Sequence, residues 1–232
     1  MPPIAEERRE ALKAVFHEAQ TCPRCPQLAA TRTTVVFGSG HADADLMFVG
    51  EAPGRHEDEQ GLPFVGQAGR LLDRLLGEIG LARAEVFVTN VLQCRPPGNR
   101  DPQPEEVEHC QDYLLRKVEL IEPRVICSLG NFATKLLRAD PTGITRVHGR
   151  VEVRTIGSRS VRLLALFHPA AALYTPANVE ALRADFAQIP ELLALEPPPQ
   201  PRLSRPEPEP EPAIPERAVA AGAVPVEQLG LF

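Results

Sequence analysis

Four short, almost unbroken apolar runs punctuate this chain: ADLMFVG (44–50), EVFVTNVL (85–92), RVICSLG (124–130) and VRLLALFHP (161–169). A strand wetted on one face alternates apolar and polar residues. A strand covered on both faces does not, so short continuous runs predict a parallel sheet sandwiched between helices. The helices are legible between the runs. AGRLLDRLLGEIG (68–80) sets leucines at 71, 72, 75 and 76 along one face, with Gly80 placed to cap its end. DPQPEEVEHCQDYLLRKVELI (101–121) opens on prolines and acids, which suit a helix N-terminus. NFATKLLR (131–138) and ALRADFAQIPELLAL (181–195) follow. The expected fold is α/β, a three-layer sandwich with a central, mostly parallel four-stranded sheet flanked by helices.

Composition limits how far that domain extends. Apolar residues make up 43% of the sequence, enough for a core. Past Glu196, however, proline and glutamate dominate, and such a segment cannot bury enough surface to offset its ordering entropy. The expectation is a folded domain over 1–195 and a disordered tail over 196–232. No apolar run approaches the roughly 18 residues that span a bilayer, and the N-terminus MPPIAEERREALK lacks the apolar stretch of a secretory signal. A cytoplasmic monomer with reduced cysteines and no membrane partner follows as an expectation. The net charge of −6 argues against a polyanionic partner. Local fields steer ligands more than totals do. Between Thr142 and Arg162 five arginines face a single acid, Glu152, which makes Arg146 and Arg150 candidate nucleic-acid contacts.

In open parallel sheets the ligand crevice lies beyond the carboxyl ends of the strands. Three of the runs end in chemically capable residues: Glu51, Asn90 and His168. One shared site is expected. The first run leads into VGEAPGRHEDEQGLPFVG (49–66), a loop that crowds Glu51, Glu57, Asp58 and Glu59 ahead of Phe64. The cysteines form a second constellation. Cys22 and Cys25 make a CxxC pair, which suggests a metal site or a redox motif. The pair follows a helical stretch rather than joining a strand to a helix. Together with Cys94 and Cys110 it would suit zinc or an iron–sulfur cluster, and spacing does not choose between them. Cys127, inside a strand run, reads as a small buried hydrophobe.

GEAPGRHED (50–58), GLPFVGQAGRLLD (61–73), VTNVLQCRPPGNRDPQPEEVEHC (88–110) and HPAAAL (168–173) together resemble the family 4 uracil-DNA glycosylases, the iron–sulfur type of bacteria and archaea. The pieces also occur in the family's order, over about residues 15–195. The resemblance implies a monofunctional enzyme of base excision repair. It would flip uracil out of DNA and hydrolyse the N-glycosidic bond, leaving an abasic site. Cys22, Cys25, Cys94 and Cys110 would ligate a [4Fe–4S] cluster, with zinc as the alternative. Phe64 would stack on the base, and Asn90 and the Ala52 backbone would bind it. His168 would stabilise the departing uracil, and Glu51 would stabilise the sugar cation and orient water. Glu57 and Asp58 would support or replace Glu51. Where the family often has a basic residue after HPAAAL, Tyr174 stands here. A related glycosylase with another base preference and a noncatalytic DNA-binding or clamp-associated scaffold are the competing readings.

The sequence ends in Gln228-Leu229-Gly230-Leu231-Phe232. This resembles the short peptide by which bacterial repair and replication proteins dock into the sliding clamp. Leu231 and Phe232 would anchor in a pocket while Gln228 and Leu229 set the register.

Overall fold

All four apolar runs form strands in a computed structural model, which describes residues 5–201. In sequence order the elements are α1 (Ala5–Gln20), α2 (Pro26–Thr31), β1 (Ser39–Gly40), β2 (Leu46–Gly50), α3 (Arg55–Gln60), α4 (Gln67–Glu78), β3 (Phe87–Asn90) and α5 (Pro104–Ile121). Then come β4 (Val125–Leu129), α6 (Asn131–Arg138), α7 (Ile144–Val147), β5 (Val151–Ile156), β6 (Arg159–Leu166), α8 (Pro169–Ala172), α9 (Pro176–Phe186) and α10 (Ile189–Ala194). The strand order is β1-β3-β2-β4-β6-β5.

β3, β2, β4 and β6 run parallel, and they are the four strands expected. The sheet is nevertheless six strands wide, because β1 and β5 add antiparallel edges. Neither edge carries a buried-run signature. β1 is two residues long, and β5 alternates, leaving Val153 60% exposed. A two-residue turn at Gly157-Ser158 folds β5 back onto β6, with Gly157 at φ +61°.

The pleat sends alternate residues of each central strand to opposite cores. Met47 and Val49 join Ile126 and Leu163 beneath α1 and α5. Leu46 and Phe48 join Val125, Cys127 and Leu164 beneath α4 and α9. The leucine stripe of α4 is buried throughout, at about 2 kcal/mol for each side chain. Its end is the expected glycine reversal. Gly80 N–H donates to Gly77 C=O at 3.1 Å, and Leu81 N–H donates to Leu76 C=O at 3.0 Å. The stretch 181–195, expected as one helix, is two. α10 begins at Ile189, where Pro190 has no N–H to continue the α9 ladder.

Residues beyond the break at Glu196 stay anchored as far as Gln200. The Gln200 side chain bonds both the N–H and the C=O of Ser160, at 3.0 and 2.9 Å. Arg162 donates to Glu196 C=O at 2.5 Å. The clamp peptide expected at Gln228, Leu229, Leu231 and Phe232 lies outside the described residues, as does the tail from 202 onward. Among the described residues no helix is long and apolar enough to cross a membrane. β3 and β4 flank β2 on opposite sides, so the winding of the sheet reverses there. A crevice opens beyond the carboxyl end of β2 at such a point.

Candidate active site

A cleft of about 430 Å³ occupies that crevice, and Glu51, Asn90 and His168 all line it. Three separate strand ends thus converge on one space. Ala52, Glu57 and Phe64 line it too. Glycines make the convergence possible. A Cβ on Gly50, the last residue of β2, would sit 2.4 Å from Asn90 Oδ1 and 2.9 Å from the Phe64 ring. His168 follows β6, two strands from β2, and must reach across β4. Gly130 at the end of β4 leaves it room, since a Cβ there would come within 3.0 Å of the His168 Cβ. Phe64 itself adopts φ +55°, a left-handed conformation costly for an aromatic residue. Its surroundings hold it there. Glu57 accepts from Val65 N–H at 3.1 Å and Gly66 N–H at 3.3 Å, and Arg83 donates to Pro63 C=O at 2.8 Å.

The protonation of the site follows from its contacts. Ala170 N–H donates to His168 Nδ1 at 3.1 Å, which leaves the proton on Nε2. Burial lowers the His168 pKa to about 4, against a smaller opposing pull from Glu57, so the imidazole is neutral near pH 7. Its ring lies 5.5 Å from that of Phe64 at an interplanar angle of 26°. Glu51 is shifted the other way: burial and the Asp101 carboxylate raise its pKa above the ordinary glutamate range. Asn90 is 2% exposed, yet among the described residues its carboxamide has no hydrogen-bond partner. An unpaired amide that opens onto a cleft is a binding group in waiting.

Other expected site residues go elsewhere. The acid-rich loop is partly a helix, α3, and this separates its acids by direction. Glu57 faces the cleft, whereas Asp58 is buried on the far side, accepting from Thr33 and Thr34 N–H at 3.0 and 3.4 Å. The catalytic role expected for Asp58 is therefore corrected to a structural one. Arg146 and Arg150 are exposed and have no acid partner among the described residues. Arg154 and Arg159 instead pair with Glu152 and Glu122, at 2.5 and 3.2 Å. Arg100, which with Arg95 forms a second basic spot in the sequence, lines the cleft from the RPPGNR loop; sequence reasoning missed Pro96 and Asn99 beside it. Their signal was present only as turn-forming composition. The Arg100 guanidinium is held by Glu106 at 2.9 and 2.6 Å.

The four remote cysteines line one small cavity between the α1–α2 turn, the segment after β3, and α5. All are free thiols. Arg32 donates to Cys94 Sγ at 3.2 Å, and Gln93 N–H donates to Cys110 Sγ at 3.3 Å. Burial, reinforced by neighbouring cysteines, raises Cys25 to about 11 and Cys110 to about 12. Such thiols ionise when a cation compensates them. Among the described residues no three His, Cys, Asp or Glu stand close enough to hold a single metal ion. Cys127 lies apart, fully buried in the α4-side core.

The family model of the Uracil DNA glycosylase superfamily matches residues 37–192. A Type-4 uracil-DNA glycosylase of Archaeoglobus fulgidus is 48% identical over 194 residues, covering 82% of this protein and 96% of its own length. One from Thermotoga maritima is 41% identical over 172 residues, covering 74% and 88%. A Type-5 uracil-DNA glycosylase of Pyrobaculum aerophilum is 30% identical over 206 residues, covering 74% and 86%.

Proposed function

The chain belongs to the uracil-DNA glycosylase superfamily, in its type-4 branch, and from that premise we propose how its cleft removes uracil from DNA. The observation that carries the proposal is the convergence of a neutral imidazole, an unpaired amide and a desolvated carboxylate in one cleft. Uracil leaves the base stack and enters the cleft. It stacks on Phe64. The 5.5 Å between the Phe64 and His168 rings leaves no room for a third ring, so His168 meets the edge of the base. The Asn90 carboxamide donates to uracil O4 and accepts from N3–H. Cytosine reverses both groups and leaves two buried dipoles opposed, which is a strong basis for rejection. The Ala52 backbone borders the base from the β2 side.

As the C1′–N1 bond breaks, its electron pair departs with uracil and charge collects on O2. The Nε2–H of His168 donates to that oxygen. Glu51 stabilises the positive sugar and orients the water whose oxygen adds to C1′ as its proton passes to the Glu51 carboxylate. Glu57 supports the site by holding the Phe64 loop. Leu173 and Tyr174 stand exposed just past His168, Tyr174 at 87%. This suits apolar side chains that fill the gap left by an extruded base. Arg146 and Arg150, unpaired by acids among the described residues, suit contacts to phosphate.

Cys22, Cys25, Cys94 and Cys110 fit a [4Fe–4S] cluster. Their side chains line one cavity, and the likeness to the iron–sulfur family 4 enzymes favours the cluster over zinc. Bound there, it would supply a structural cross-link between the N-terminal segment, the end of β3 and α5. The test of the whole assignment is excision from a uracil-containing oligonucleotide, with iron and acid-labile sulfide measured on the same preparation. Glu51→Gln is expected to slow excision by about 10²-fold while retaining DNA binding. Excision at normal speed by that variant removes Glu51 from the chemistry.

The terminal Gln228, Leu229, Leu231 and Phe232 we read as a sliding-clamp peptide at the end of a domain tether. A tether of about 30 residues reaches on the order of 90 Å when extended and would raise the enzyme's concentration on clamp-loaded DNA. Purified clamp should retain the full-length protein and not one ending at Val226. Equal retention of both dismisses the peptide.

A further inference from the structure

Lys117 is completely buried, at 0% exposure, within α5. Its nitrogen meets three oxygens, the Phe37 C=O, the Thr89 hydroxyl and the Gln93 carboxamide Oε1, each at 2.7 Å. None of the three is a carboxylate, so the lysine is matched by dipoles rather than by an ion pair. The Phe37 ring centre lies 4.5 Å from its nitrogen. None of these groups lines the cleft. Two of them nevertheless grip the strand end that does.

β1 pairs with β3 only as far as Val88. On that side Thr89 and Asn90 have no strand neighbour. Gln93 takes its place, its Nε2–H donating to Asn90 C=O at 2.9 Å and to Val91 C=O at 3.4 Å. Thr89 completes the substitution by donating to Phe37 C=O at 2.9 Å. Both side chains are oriented by the same Lys117 nitrogen. A series of short contacts therefore runs from α5 through Lys117 and Gln93 to the backbone of Asn90.

We propose that Lys117 is a positioning residue for base recognition, holding the end of β3 through Gln93 and Thr89 so that the Asn90 carboxamide faces uracil. The proposal rests on the reading of Asn90 as the group that recognises the base. It makes discrimination depend on a residue that no ligand touches. An amide displaced by a fraction of an ångström still fills the space, but its donor and acceptor no longer match O4 and N3–H.

Two variants test it in the cluster-loaded protein. Lys117→Met is close in shape and removes the nitrogen that meets all three oxygens. Gln93→Glu keeps an oxygen facing Lys117 but replaces the NH₂ that holds Asn90 with a second oxygen. The measurements are single-turnover excision from a uracil oligonucleotide, inhibition by free uracil, affinity for an abasic oligonucleotide, and visible absorption to verify the cluster. Gln93→Glu is expected to excise about ten- to a hundredfold more slowly, with uracil inhibition weakened in parallel and abasic affinity unchanged. Lys117→Met should move the same way; should it not fold, Gln93→Glu carries the test. In an Asn90→Ala background, Gln93→Glu should cause no further loss, because both changes act on one interaction. A slow Asn90→Ala enzyme beside a Gln93→Glu enzyme of normal speed overturns the role of Lys117 alone, as do losses that multiply. Normal speed in Asn90→Ala overturns the reading of Asn90 first, and the role of Lys117 with it.

Discussion

Replacing His168 with alanine is expected to slow uracil excision on the order of 10²–10³-fold, the range for losing one preorganised donor to a developing anion. The loss should fall on the chemical step, with DNA affinity nearly unchanged. Its pH dependence should identify the acting species. A donor that worked as imidazolium would lose activity above the ordinary histidine pKa near 6.5. Here burial holds the residue neutral down to about 4. The wild-type rate should therefore pass through pH 6.5 without an inflection. Stability should carry the same signature. The folded pKa is depressed, so between about 4 and the unfolded value near 6.5 the unfolded state binds the extra proton. The stability associated with a neutral His168 is complete above pH 6.5 and is lost as the pH falls toward 4. Protonation would also set Nδ1–H against the Ala170 N–H that now donates to it. His168→Ala should flatten that acid decline. An excision midpoint at 6.5, or an unaltered acid decline in the variant, counts against a neutral donor.

Gly50→Ala should abolish most of the activity and leave the fold intact. In most strands a glycine-to-alanine change is stabilising by roughly 0.5–1 kcal/mol, since it restricts the unfolded state. At Gly50 the new methyl meets the ends of two side chains, Asn90 Oδ1 at 2.4 Å and the Phe64 ring at 2.9 Å. Both can swing away without moving the backbone, and both leave the geometry that would bind uracil. We expect excision to fall by about 10²-fold or more, on the order of what a misplaced recognition group costs. The melting temperature should change little. Gly69→Ala is the contrasting case. Its methyl would land 1.7 Å from the backbone oxygen of Phe64, and α4 cannot yield to that without shifting. That variant should lose stability, by about 1–3 kcal/mol or more, together with activity. Comparable melting losses in the two variants would show that Gly50 also serves the fold.

Much of the architecture was legible because it depends on local pattern. The four parallel strands betray themselves by apolarity on both faces, and α4 by its leucine spacing and terminal glycine. The edges were not legible. β1 contributes two residues and β5 an alternation rich in charge, so the same stretch that read as a basic patch turned out to be a hairpin. Asp58 and Glu57 show the corresponding limit within the site. They are adjacent in sequence and equal in chemistry. A single helical turn sends one to the cleft and the other to the amides of Thr33 and Thr34.

Residue order alone is enough to say that an acid, an amide and an imidazole stand at strand ends, and which cysteines could serve a metal. Those are properties of residue type and local pattern. It took the folded arrangement to show that Gly50 and Gly130 clear the space in which the three side chains meet, that burial lowers the His168 pKa, and that Lys117 stands behind Asn90. Each of these depends on atoms from segments dozens of residues apart. Burial, protonation and steric room are set by what surrounds a group, and a linear order of residues does not state its own surroundings.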